Sequence, residues 1–185
     1  MKLMLQAALC AAIGALGAAA ADSGTAQIAK VYDQQLTSLE RELVPLAEAM
    51  PAERFSFAPT EGQFSGVRTF ALQAEHIAYV LYEVSAGILE QKNPSETGPS
   101  ENGPANLKTK EDVVNYLKQA FAYGHKAMAS LTNANQLDMV ASPFGDGKVA
   151  RVSLASIAVW HSFDHYGQMV VYARMNGVIP PASRR

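Results

Sequence analysis

The chain of 185 residues has a single cysteine, a single tryptophan and no concentrated positive charge. Cys10 lies inside an uncharged N-terminal run, so the rest of the sequence offers no thiol for a disulfide, a nucleophile or a thiolate metal ligand. Apart from Arg184 and Arg185 there is no lysine or arginine cluster, and the formal charge is −2. That balance argues against nucleic acid as a main partner. Beyond the N-terminal run, no stretch is long and apolar enough to span a bilayer. Long alternations of apolar and polar residues are also missing, which excludes a half-buried sheet as the main scaffold.

What is present first is a leader. Lys2 is followed by "LMLQAALCAAIGALGAAAA", with no charge until Asp22, and Ala18 to Ala21 supply the small residues of a cleavage site. The pattern predicts a signal peptide over 1–21 and a single domain over 22–185. A membrane anchor is the competing reading. The run's Ala- and Gly-rich composition and its A-x-A ending favour cleavage. A lipid attachment at Cys10 is disfavoured by bulky Leu9 before it and by the apolar run after it. The expected protein is exported, periplasmic or secreted, and without cysteine once the leader is removed.

The remainder reads as all-α. Ile28, Tyr32, Leu36, Leu39, Leu43, Leu46 and Met50 recur at spacings of three and four, predicting a first helix from about 25 to 50 that Pro45 kinks or restarts. "MPAERFSFAPTEGQF" (50–64) is a connection, and Ser65 is the expected N-cap of a second helix. Its stripe is Val67, Phe70, Ala74, Ile77, Leu81, Val84 and Ile88, ending near 91. Residues 93–106 are rich in Pro, Gly, Ser and Asn, hence a flexible surface loop. Thr109 and Asp112 have capping-box spacing, and Val114, Leu117, Phe121, Met128 and Leu131 follow as the buried stripe of a third helix. A turn with a minimal hairpin is expected at "GDGK" (145–148). The fourth helix should run from Arg151 to Asn176-Gly177, where Pro180-Pro181 prevents continuation. These lengths and stripes predict a four-helix bundle.

The chemistry concentrates in "VWHSFDHYGQMV" (159–170). On a helix, Leu154, Ala158, His161, His165, Gln168 and Tyr172 share one column that should face the interior. Two histidines at i and i+4 on such a face can converge on one ion, although alone the pair is as consistent with packed, hydrogen-bonded imidazoles. His76, near the apolar face of helix 2, offers a third nitrogen if helices 2 and 4 are neighbours. Unpartnered buried imidazoles are costly, and a divalent ion would satisfy all three. Three separately hydrogen-bonded histidines remain the alternative. His125, at the edge of its stripe beside Lys126, reads as a boundary residue and not a ligand, and Glu75 points about a quarter-turn away from His76. Gln168 and Tyr172 lie one and two turns beyond the pair, placed either to orient water or substrate or to pack.

The stretch "HSFDHYGQMVVYARMNGVIPP" (161–181) resembles the fourth helix of the DinB-like, or YfiT-like, family of metal-dependent hydrolases: H-x-x-x-H-x-G-Q, then an arginine, then a Gly and Pro ending. "MPAERFSFAPT" (50–60) and "SGVRTFALQAEHIA" (65–78) resemble its first connection and second helix. The resemblance implies a four-helix bundle in which His76, His161 and His165 bind a divalent transition metal such as zinc, nickel or iron. The partners expected are a small-molecule substrate and, with the oligomeric state left open by the sequence, a second copy in a homodimer. Asp164 stands where many members have histidine and Tyr166 where many have arginine. Neither is a ligand position, so these departures bear on the substrate, which stays open. Activities known in the family include thiol transfer and a thiol-dependent isomerisation, which suit poorly an exported protein that meets little reduced thiol. The leading expectation is a metal-dependent hydrolase or transferase, against a non-catalytic metal- or ligand-binding bundle. N-terminal sequencing of the protein from its native compartment should begin near Asp22. An intact Met1 in a cytoplasmic fraction would contradict export.

Overall fold

The computed structural model describes residues 4–95 and 101–184, with side chains described from Gln27 onward. Among these residues four α-helices carry the fold: α1 (Met4–Ala49), α2 (Phe70–Leu89), α3 (Lys110–Ala129) and α4 (Arg151–Met175). A two-stranded antiparallel hairpin, β1 (Met139–Ala141) and β2 (Lys148–Ala150), precedes α4, with Val140 opposite Val149. Each helix packs on two others: α1 on α3 and α4, α2 on α3 and α4. Contacts between Glu48 and Lys118, and between Asp33 and His125, set α1 antiparallel to α3. Those between Glu90 and Arg151, and between Gln73 and Gln168, set α2 antiparallel to α4. The predicted neighbourhood of α2 and α4 is therefore present.

The core is made mostly by the predicted stripes, although Val67 lies exposed ahead of α2 and Met169 joins the core from outside the predicted α4 column. Leu36, Leu39, Leu43 and Leu46 of α1 meet Phe70, Ile77, Leu81 and Ile88 of α2, Leu117 and Phe121 of α3, and Leu154 and Met169 of α4, all fully buried. Burial of side chains of this size contributes roughly 1.5–3 kcal/mol each, against the entropy of ordering them. The capping box holds α3 as read: Thr109 Oγ1 accepts from the Asp112 amide at 3.1 Å, and Asp112 accepts from the Thr109 amide at 2.9 Å. Asn176 caps α4, and the chain turns out at Gly177. No helix among the described residues is long and apolar enough to cross a membrane.

Four expectations need correction. α1 begins at Met4, ahead of residue 25, and runs unbroken through Pro45. Proline there forgoes one bond to the carbonyl of exposed Arg41, while Leu43, Val44, Leu46 and Ala47 around it are buried and offset the loss. The side chains of the predicted leader lie outside the described residues. α2 starts at Phe70 and not after Ser65, because Gly66 has φ +80°, a left-handed backbone that does not continue into a right-handed helix. Thr69 is the N-cap, accepting from Leu72 N at 3.3 Å, while Phe70 N and Ala71 N donate at 2.8 Å to the carbonyls of Phe57 and Phe55. Finally, residues 101–106 are a docked segment that reaches the histidines, as described below.

α4 has no side-chain N-cap. The amides of Arg151 and Val152 donate instead to the carbonyls of Asp138 and Gln136, both at 2.9 Å, so the chain before the hairpin satisfies the helix start. Arg151 is buried yet fully engaged. It donates to the carbonyls of Ile88 and Asn135 and to Glu90 Oε2, capping the C-terminal end of α2.

His125 ties α3 to α1. Its Nδ1 lies 2.6 Å from Asp33 Oδ1 and its Nε2 3.1 Å from Glu40 Oε2. Carboxylates only accept, so both nitrogens donate and the ring is favoured as an imidazolium. Burial pulls its pKa down, but the bonds and charges of Asp33 and Glu40 outweigh burial and leave it raised above 6.5. A raised histidine stabilises the fold fully below its unfolded pKa, and that contribution is lost as pH rises through the folded value. The melting-temperature gap between wild type and His125→Asn should therefore be widest near about pH 6 and narrow toward about pH 9. A gap independent of pH would contradict the pairing.

Candidate metal centre

α2 delivers His76 and α4 delivers His161 and His165 to one point between the helices. The ring centroids of His76 and His165 are 4.8 Å apart, those of His76 and His161 5.0 Å, and those of His161 and His165 4.5 Å. One nitrogen from each ring lies within 4.8 Å of the other two. His76 and His165 are buried and His161 is half-buried. The centre of the buried column on α4 runs through Leu154, Ala158, Ser162, His165 and Met169, so His161 and Gln168 sit at its margin and not in the middle as the wheel suggested.

The rings are neutral. Burial, then the neighbouring imidazoles, pushes His161 and His165 down to about 4, and burial likewise lowers His76. Arg68 adds to the effect on all three, and Asp164 opposes it at His161 and His165. Neutral imidazoles keep the lone pairs that a cation needs.

Hydrogen bonds decide which nitrogen stays free. His76 Nδ1 donates to the carbonyl of Glu101 at 2.7 Å. His165 Nδ1 donates to Gln73 Oε1 at 2.5 Å, Gln73 Nε2 donates to Gln168 Oε1 at 2.9 Å, and Gln168 Nε2 donates to Asp164 Oδ2 at 3.3 Å. The direction of this chain follows from its end. A carboxylate can only accept, so Gln168 turns its amide nitrogen toward Asp164 and its oxygen toward Gln73. Gln73 must then present its own oxygen to His165 and hold the proton on Nδ1. The Nε2 lone pairs of His76 and His165 are left for the centre, and His161 Nδ1 is buried without a hydrogen-bond partner. Such outer partners orient metal-binding histidines.

Sequence reasoning missed Gln73, Arg68 and the Glu101 carbonyl. Gln73 was findable, since it lies one turn before His76 on the same face of α2. The Glu101 carbonyl was not, because it comes from the segment read as a free loop. Arg68 pins that segment, donating to Asn102 Oδ1 at 3.0 Å and pairing with Glu101 at 3.2 Å. Tyr172 is not joined to the imidazoles: its buried ring packs edge-on against Phe57 at 5.8 Å. Glu75 faces a separate groove beside Lys108, where burial pushes its carboxyl up to about 7.

Two grooves meet at the cluster. One, about 500 Å³, includes His76, His161, Tyr79, Phe144 and Trp160 in its walls. The other, about 530 Å³, includes His165, Arg68, Gln73 and Gln168. Three convergent neutral imidazoles, two of them anchored through Nδ1 and the third with a buried nitrogen lacking a partner, fit a borderline transition-metal ion. His76, His161 and His165 are the residues that would hold such an ion.

A helical bundle with a three-histidine cluster between two of its helices defines the class of site, and known proteins share the bundle. The model of the DinB superfamily matches residues 35–169, so the chain belongs to that superfamily. Its fold is similar to that of a DinB-like protein from Bacillus cereus ATCC 10987, at 16% identity and TM-score 0.63, covering 81% of this chain and 93% of that one. It is also similar to the DinB-like protein YjoA from Bacillus subtilis, at 19% identity and TM-score 0.62, covering 83% of this chain and 99% of that one. No curated protein matches the sequence.

Gln73→Leu should weaken zinc binding by about 10–100-fold in a competition titration, because His165 loses its orienting acceptor. Gln73→Glu should retain most of the affinity, since a carboxylate still accepts from Nδ1. Equal affinities for wild type and Gln73→Leu would remove the chain of amides from the site.

Proposed function

We propose that the protein is an exported metal-dependent enzyme that holds a divalent transition metal, whether zinc, nickel or iron, through His76, His161 and His165. Its reaction is hydrolysis or group transfer on a small molecule. The observation that carries this reading is the convergence of three neutral imidazoles, two with their Nδ1 atoms tied to fixed acceptors, where two open grooves meet. A bound divalent ion supplies Lewis acidity toward an oxygen of water or substrate.

The chain's own residues have separable tasks. The Glu101 carbonyl and Gln73 hold the tautomers of His76 and His165, and Gln168 fixes the orientation of Gln73. Arg68 places positive charge near the cluster, which favours an anionic or oxygen-rich substrate group on that side. Glu75 is directed elsewhere and Asp164 bonds Gln168, so no carboxylate described here hydrogen-bonds an imidazole of the cluster. Open grooves favour a catalytic role over simple storage, in which a further side chain would be expected to close the coordination sphere.

Metal analysis of the purified mature protein should find about one equivalent of metal. His161→Ala and His165→Ala should each abolish stoichiometric binding, and His125→Ala should not. Stripping the ion should lower the melting temperature, since a ligand at about 100 times its Kd stabilises the native state by about 2.7 kcal/mol. Full metal content in both helix-α4 variants would overturn the assignment. A substrate screen run with and without chelator then tests catalysis separately.

A further inference from the structure

The two grooves differ in chemistry, and the difference bears on what the site accepts. On the His165 side the walls carry four polar side chains, Arg68, Gln73, Asn102 and Gln168, beside the apolar Val67 and Leu72. On the His76 and His161 side they are mainly apolar, with Tyr79, Phe144, Ile157 and Trp160, and Glu101 is the one acidic member. Trp160, the single tryptophan, is 58% exposed although its ring centroid lies 5.9 Å from that of His161. Phe144, on the turn between β1 and β2, is 51% exposed, and the Ser142 hydroxyl accepts its amide at 3.2 Å. Two large aromatic side chains thus stay largely in solvent on the walls of one groove, and that groove ends on the histidines. Exposed apolar surface of this kind, with a polar group at one end, is characteristic of a small-molecule site, and 500 Å³ suits one.

The cluster defines the other end of such a ligand. Three imidazole ligands carry no negative charge, so a divalent ion among them keeps its full charge and favours an anionic oxygen donor. Resting on the metal reading above, we propose that the site takes a flat apolar or aromatic small molecule bearing an anionic oxygen head. The body lies against Phe144 and Trp160, and the head lies at the ion held by His76, His161 and His165.

Two hydroxamates that share a chelating head separate the two parts. Zinc-loaded protein is titrated with benzohydroxamate and with acetohydroxamate, by calorimetry and by the fluorescence of Trp160. Benzohydroxamate should bind about tenfold tighter or better, the scale of one buried aromatic contact. It should also change the Trp160 emission. Phe144→Ala and Trp160→Ala should each remove most of that preference while leaving zinc content and acetohydroxamate affinity unchanged. Equal affinity of the two hydroxamates for the zinc-loaded wild type would overturn the aromatic groove while the metal reading stands. So would a preference that survives in both variants. Failure of the wild type to hold zinc would overturn the metal reading and this inference together.

Discussion

The register of α4 against α2 is the constraint on which the site depends. Four pairs mark it: Glu90 with Arg151, Gly87 with Leu154, His76 with His165, and Gln73 with Gln168. Each step back along α2 is matched by an equal step forward along α4. Gly87 and His76 are eleven residues apart, as are Leu154 and His165, which is about 16.5 Å and close to three helical turns. Both contacts therefore lie on the same face of each helix. A Cβ at position 87 would sit 2.7 Å from Leu154 Cδ1, so glycine permits the close approach at one end. Arg151 locks that end by bonding the Ile88 carbonyl and Glu90. A slip of one residue would turn His165 by about 100° and dissolve the cluster.

The site spends stability that the core supplies. The buried Nδ1 of His161 has no hydrogen-bond partner, and such a group costs free energy unless something binds it. The outer nitrogens of His76 and His165 are compensated by the Glu101 carbonyl and Gln73. Polarity is set at the far end of the Gln73 chain, where the Asp164 carboxylate admits only one orientation of Gln168. That makes Asp164 part of how this chain holds His165. The carboxylate also opposes the effect of burial on His161 and His165, so it acts on the cluster through charge as well.

How legible this was in the sequence follows from the range of the forces. The stripes of α1, α2 and α3, the Thr109 capping box and the α4 ending depend on neighbours within a few residues and were largely readable, whereas the α4 column was read slightly off its buried centre. His76 could be joined to His161 and His165 because one bundle face brings them together. The start of α2 was misplaced because Ser65 is a good N-cap type, and only the left-handed Gly66 and the backbone bonds to Phe55 and Phe57 select Thr69 instead. The role of residues 101–106 was hidden for a different reason. Polar, proline- and glycine-rich composition predicts exposure, but Arg68, far away in sequence, supplies the bonds that dock the segment. Tyr172 fell on the right helical column, yet Phe57 from the first connection takes up its ring.

The division between helices and connections also separates two tasks. The histidines and Gln73 stand on packed helices, where any shift disturbs the α2–α4 register and the core beneath it. The groove walls that differ most in chemistry come partly from outside the helices: Phe144 from the hairpin turn, and Glu101 and Asn102 from the docked segment. Connections accept changes of sequence and length at little cost to packing, whereas a packed interior does not. The two Bacillus folds are similar over more than nine-tenths of their length at 16% and 19% identity. In this chain the docked segment does both, since the Glu101 carbonyl fixes His76 while its side chain faces Arg68 at the mouth of a groove. A change there would alter ligand access and histidine orientation together, which couples selectivity to the state of the centre.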